Sequence, residues 1–219
     1  MANWATNMLV IETTSNGPEL TRLYTDINEI SESFNTDVCW FSDLIDLRMK
    51  WLDDNLLTDT DAYRECIRAR DEFYLRGYIY TDYMEYDREN NTIRAEAETA
   101  WGALTDLYSS IPIMYNDPCM KVYYLVEELG NGIYETNDVE GMHFDSNFDI
   151  LYDNSDEGTN YVNKDEFIEC VSSFFDDSEI DTVQKATDMV DRFNYEIRQD
   201  DDFDDSIYFY YYYITRIQY

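Results

Sequence analysis

The chain has 219 residues, 44% of them hydrophobic, which is ample for a packed core, and its 48 Asp and Glu against 15 Lys and Arg give a formal charge of −33. With so few cations it lacks the means to hold phosphates, and a single histidine, His143, removes His-rich metal sites and most histidine-assisted nucleophiles. Charges interrupt every apolar run before the roughly 18 residues that a membrane span needs.

The charge is not confined to a tail. Residues 1–134 hold 25 acids and 10 bases, and residues 135–219 hold 23 and 5. The expected surface is therefore negative nearly everywhere, with self-repulsion offset by the core and by counterions. The N-terminus lacks the basic and apolar regions of a signal peptide, so the expectation is a cytoplasmic protein without a membrane segment.

In chain order, Asn3 to Ile11 sets Trp4, Met8 and Val10 on one parity and Leu9 and Ile11 on the other, as in a mostly buried strand. "SNGPEL" supplies a turn and an N-terminal proline, and Leu20, Leu23, Tyr24, Ile27, Ile30 and Phe34 then recur at helical spacing. Residues 36–77 read as two helical segments joined at "TDTD", a plausible N-cap. Arg64, Arg68 and Arg70 form a local basic patch there, but Asp61, Glu65, Asp71 and Glu72 lie within helical reach, which predicts internal ion pairs.

Two alternating runs around Glu89-Asn90-Asn91 predict a hairpin, Trp101 to Ser110 a short helix, and "KVYYLVEELGNGIYETNDVEGMHF" a second hairpin turning at Gly130-Asn131-Gly132. Lys164 to Asp176 and Glu179 to Arg198 read as helices. The second turns Ile180, Val183, Val190, Phe193 and Ile197 inward and sets Asp177, Asp181, Asp188 and Asp191 on the opposite side. A strand from Ser206 to Ile217 closes the chain. Both of its parities are apolar or aromatic, which predicts a central strand covered on both faces, and "DDDFDD" at 200–205 reads as a solvated guard against its aggregation. No repeat and no flexible linker interrupts the pattern, so residues 1–219 are expected to form a single domain.

The opening "MANWATNMLVIE" resembles the N-terminal strand of the YubB-like, ferredoxin-like proteins of phages and mobile elements, through Asn3, Trp4, Asn7 and Leu9. A second stretch, "IRAEAETAWGALTDLYSSIPIMYNDPCMKVYYLVEELGNGIYE", is similar to that family's later strand, helix and hairpin through Thr99, Ala100, Trp101, Pro112 and Glu127; where the family has Ser-Pro-Pro after the tryptophan, Gly102-Ala103 stands. The resemblance covers about a third of the chain. It implies an α+β fold, a ferredoxin-like antiparallel sheet with helices on one face, a phage or mobile-element origin, and no catalytic residues to carry over. With the pattern above it predicts a helical insertion at about 36–76 and a C-terminal α-α-β extension at about 163–219.

No motif for catalysis stands out. Cys39, Cys66, Cys119 and Cys170 form no C-x-x-C pair and read as four buried thiols. "DNSDEGTNYVNK" imitates a calcium loop but ends on Lys164 where a bidentate glutamate is needed. There is no P-loop, no G-x-G-x-x-G, no H-E-x-x-H and no G-x-S-x-G. The 21 tyrosines, 11 phenylalanines and four tryptophans have no basic groove beside them, so they read as sheet faces and protein contacts, not stacking platforms for bases. The expectation is no enzyme, no cofactor and no metal.

Charge then leads the reading of function. Carboxylates held on helix faces offer a nucleic-acid-binding protein a decoy for phosphates, and the phage-like resemblance points to host defence proteins as targets, of the anti-CRISPR or anti-restriction type, in the host cytoplasm. Asp177, Asp181, Asp188 and Asp191 are the candidate partner-binding residues. Two alternatives stay open: an acidic module for another basic partner, such as a phage replication or packaging protein, and adaptation to high salt.

Overall fold

The computed structural model describes residues 3–15, 17–128, 132–152, 160–197 and 209–217. It is an α+β protein whose chain divides into two compact units, one up to Asp138 and the other from Val139. The second unit thus joins the anticipated C-terminal helices and strand to the residues from Val139 onward.

In the first unit, β1 (Trp4–Thr13) leads into α1 (Glu19–Phe34), which starts behind Pro18 and stops at Asn35 in the left-handed conformation. Then come β2 (Val38–Trp40), α2 (Phe41–Asp54), α3 (Asp61–Glu72), β3 (Gly77–Asp87), β4 (Thr92–Ala100), α4 (Thr105–Met114), β5 (Met120–Glu128) and β6 (Ile133–Thr136). The strands stand in the order β6-β5-β1-β4-β3-β2, with antiparallel neighbours throughout. Leu9, Ile11, Ile79, Ile93, Val122 and Tyr124 share one core with the buried stripes of α1 to α4, so these helices cover one sheet face.

Asn7 is buried on that core side, and its amide is fully used. It donates to Thr99 Oγ1 (2.7 Å) and the Ala5 carbonyl (3.0 Å), and its Oδ1 accepts the Tyr108 hydroxyl (3.1 Å). An unsatisfied amide here would cost about 1–3 kcal/mol, so the network pins β1, β4 and α4 together.

Three expectations need correction. Residues Val38 to Trp40, read as part of a helix, form an edge strand paired with Tyr78 to Tyr80; three residues are too few to show a period of their own. The short helix starts at Thr105 and not at Trp101, because Trp101 (φ 73°) and Gly102 (φ 142°) hold backbone angles that no helix accepts. Only Cys39 and Cys66 are buried; Cys119 is exposed and Cys170 half-buried. The first hairpin turns where expected, with Asn91 at φ 50° and the Asp87 carboxylate accepting the backbone N–H groups of Glu89 and Asn90.

In the second unit, β7 (Phe148–Tyr152), β8 (Asn160–Val162) and β9 (Phe209–Tyr213) form a sheet in the order β8-β7-β9 beneath α5 (Lys164–Phe174) and α6 (Val183–Ile197). Phe148 and Phe167 stack at 4.2 Å, and Val171, Ala186, Val190 and Phe209 complete the core. Asn163 caps α5 in a reciprocal box with Glu166. The closing strand differs from expectation: β9 lies at the edge of this sheet, with Phe209 buried but Tyr212 and Tyr213 exposed. Aromatic residues on both parities suit an edge strand too, because tyrosine rings pack while their hydroxyls reach water. The aspartate run at 200–205, residues 153–159 of the calcium-like stretch at 153–164 and most of the second hairpin turn lie outside the described residues.

Candidate partner-binding surfaces

Five of the first unit's ten cations, all arginines, are engaged with its own acids. Arg48 is buried: its Nε donates to the Met114 carbonyl (2.9 Å), and its guanidinium lies 4.5 Å from both the Trp51 and the Tyr115 ring centroids. Arg22 pairs with the buried Asp26 at 2.9 Å. Arg64 pairs with Asp59 and Asp61, Arg68 with Glu65, and Arg70 with Asp71, so three of the four acids expected to pair, Asp61, Glu65 and Asp71, do so. The Arg68 hydrogen bond holds the Glu65 carboxyl below its usual range. On α2, Asp46 and Asp53 are exposed, and Asp43 is raised by partial burial and by repulsion from Asp46.

The four aspartates singled out in the second unit do not form one row. Helix α6 begins at Val183, so only Asp188 and Asp191 ride on it, while Asp177 and Asp181 belong to the turn that precedes it. The Asp177 carboxylate accepts the Glu179 N–H at 2.9 Å, which closes that turn, and α6 starts at Val183 and not at the expected Glu179. Asp181 pairs with Lys185 at 2.8 Å, which holds its carboxyl below the usual value. Asp188 accepts the Gln184 amide (2.8 Å), and Asp191 accepts the Tyr211 hydroxyl (3.1 Å). Asp177 and Asp188 do share a shallow cavity of about 240 Å³, which Lys185 and Arg192 also line. The surface is charged and open, with two cations set among the acids.

A second surface was not singled out by sequence reasoning. On the sheet face away from α1 to α4, the register sets Trp40, Tyr78, Glu98 and Thr6 side by side across β2, β3, β4 and β1, with Val38, Tyr80, Glu96 and Met8 in the next row. Tyr78 packs between Trp40 (4.9 Å) and Trp4 (5.7 Å), and Tyr80 meets it edge-on at 5.2 Å. Both hydroxyls donate to Glu98, from Tyr78 at 2.7 Å and from Tyr80 at 2.9 Å. Partial burial, then the hydrogen bonds with Tyr80 and Glu98, raises the Tyr78 hydroxyl above its ordinary pKa. Of the four tryptophans, Trp4, Trp40 and Trp101 are 38%, 40% and 49% exposed, unusual for the largest apolar side chain. The alternation in "YIYTDY" was legible as a sheet face; what was missing was Trp40, whose place depends on a strand the sequence does not announce.

Among the described residues, no group of three or more His, Cys, Asp or Glu side chains is placed to hold a metal ion, and no helix is long and apolar enough to cross a membrane. Compared with protein-family models, curated proteins and solved structures, the chain finds no match.

Proposed function

We propose that the protein is an acidic mimic of nucleic acid, which occupies the basic surface of a nucleic-acid-binding protein and thereby inhibits it. The observation that carries this reading is the placement of exposed carboxylates on ordered elements, Asp46 and Asp53 on α2 and Asp188 and Asp191 on α6, within a chain of net charge −33. Charge held on a fold binds without the ordering entropy that a flexible acidic tail would lose. The same excess of acid opposes binding to nucleic acid itself.

We read the core β1-α1-β3-β4-α4-β5 as ferredoxin-like, supported by the spatial order β5-β1-β4-β3 within the larger sheet. That arrangement agrees with the YubB-like resemblance, and the phage or mobile-element setting implied by it makes host defence proteins of the CRISPR or restriction type the intended targets, met in the host cytoplasm. A second reading, an acidic module for another basic partner such as a phage replication or packaging protein, is favoured by the aromatic sheet face, which has no counterpart in a phosphate backbone.

The test is competition. The partner is captured from a host lysate and identified, and its complex with this protein is challenged with the nucleic acid that the partner binds. Mutual displacement and a steep loss of affinity with salt are expected. Neutralising Asp177, Asp181, Asp188 and Asp191 to Asn should weaken the complex and flatten its salt dependence. A complex that survives saturating nucleic acid overturns the mimic reading and leaves the interaction module.

A further inference from the structure

We infer that the outer face of the first unit's sheet, at β2-β3-β4, is a receptor for an arginine side chain of a basic protein partner, with Glu98 as the anion and Trp40, Tyr78 and Trp4 as the aromatic surface. The inference deepens the reading above and rests on the part of it that makes the partner basic.

Four observations converge on this class of ligand. Glu98 is half-buried on a face that the first unit's helices leave uncovered, and among the described residues no cation pairs with it. A carboxylate has about four lone-pair sites, of which the two tyrosine hydroxyls use two, so its remaining acceptor capacity suits a forked donor. Trp40 and Trp4 flank Tyr78 and present ring surface that water solvates poorly. Finally, the protein's own Arg76 already lies over Trp4 at 5.4 Å, so one guanidinium is accommodated at the border of this face.

The chemistry selects arginine over lysine. A guanidinium is planar, stacks on an aromatic ring and bonds a carboxylate through two parallel N–H groups, whereas an ammonium is a compact, strongly hydrated charge. It also selects against a phosphate or a nucleobase, because Glu96 and Glu98 stand in adjacent rows of the face. The tyrosine hydroxyls fix the Glu98 carboxylate in place, so binding need not order it.

The probe is a blocked Gly-Arg-Gly-Arg-Gly peptide titrated into the full chain by calorimetry, beside its lysine and citrulline analogues. Because a chain of charge −33 attracts any cation weakly, the decisive comparison is between charge-matched variants. Glu98→Gln removes the anion, and Glu89→Gln removes one equal charge in the exposed β3-β4 turn, at the far end of the hairpin. Glu98→Gln is expected to weaken the arginine peptide about fivefold or more, Trp40→Leu by a similar factor, and Glu89→Gln less than twofold. The lysine peptide should bind several-fold more weakly than the arginine peptide, and the citrulline peptide not measurably. Circular dichroism verifies folding; should Glu98→Gln not fold, Trp40→Leu and the arginine-to-lysine ratio decide. Equal effects of Glu98→Gln and Glu89→Gln, or equal affinity for arginine and lysine, overturn the receptor. Nucleic-acid competition is the separate arm: if it fails while the arginine preference holds, only the mimic reading falls, and the converse result removes only the receptor.

Discussion

The carboxylate of Asp26, on α1, and the hydroxyl of Tyr115, just past α4, meet at 2.9 Å in the interior of the first unit. Burial raises the Asp26 pKa, against the lowering effects of the Tyr115 hydrogen bond and of Arg22 and Arg48. Glu19 and Asp43 are also raised, in both cases chiefly by burial. A carboxyl whose folded pKa lies above its unfolded value binds its proton more readily in the folded state, so stability increases as pH falls through the folded pKa.

The first prediction follows from that sign. The melting temperature should rise from pH 7 to about pH 5, since the unfolded carboxyls titrate only near 4. Below about pH 4 it should fall, as Glu65 and Asp117, held below their usual values, lose their stabilising contributions. Asp26→Ala should cost about 2 kcal/mol at neutral pH, because it strands the buried Tyr115 hydroxyl. Asp26→Asn should cost less than half of that, since its amide oxygen still accepts the hydroxyl, and it should flatten the rise toward pH 5. Denaturant titrations at three pH values check both.

Salt provides the second prediction. Like charges such as Asp43 and Asp46, one helical turn apart, repel across a surface whose screening length shrinks from about 30 Å at 0.01 M to about 10 Å at 0.1 M. The melting temperature should therefore climb over that range and level off by a few hundred millimolar. A flat profile would mean that the acids are already compensated within the fold, and a need for molar salt would favour adaptation to a saline environment.

Thiol chemistry gives the third. Burial pushes the Cys39 and Cys66 thiols up to about 12, and Cys119 is exposed. Iodoacetamide at pH 8 should label Cys119 first and the half-buried Cys170 more slowly, because burial and then Glu169 and Glu166 raise the latter. Cys39 and Cys66 should react only when the first unit opens. Peptide mass spectrometry at successive times gives the order, and early labelling of Cys39 would mean that β2 detaches from β3.

The local elements and the charge were determined by the sequence alone. Helix α1 behind Pro18, the left-handed Asn91 turn, the arginine pairs on α3 and the two hairpins each follow from residues within a few positions of one another, where period, turn chemistry and ionic reach act without help from the fold. What depended on distant pairing came only from the tertiary structure. Val38 to Trp40 are a strand because β3 offers them an open edge, and Asp177 and Asp181 fall in the turn before α6, where the Asp177 carboxylate accepts the Glu179 N–H. The row Trp40-Tyr78-Glu98-Thr6 joins four strands whose register is set by the common core, not by any neighbour in sequence. A side chain's type can be read one residue at a time; the face it shares with others is decided by which strands pair and in which register.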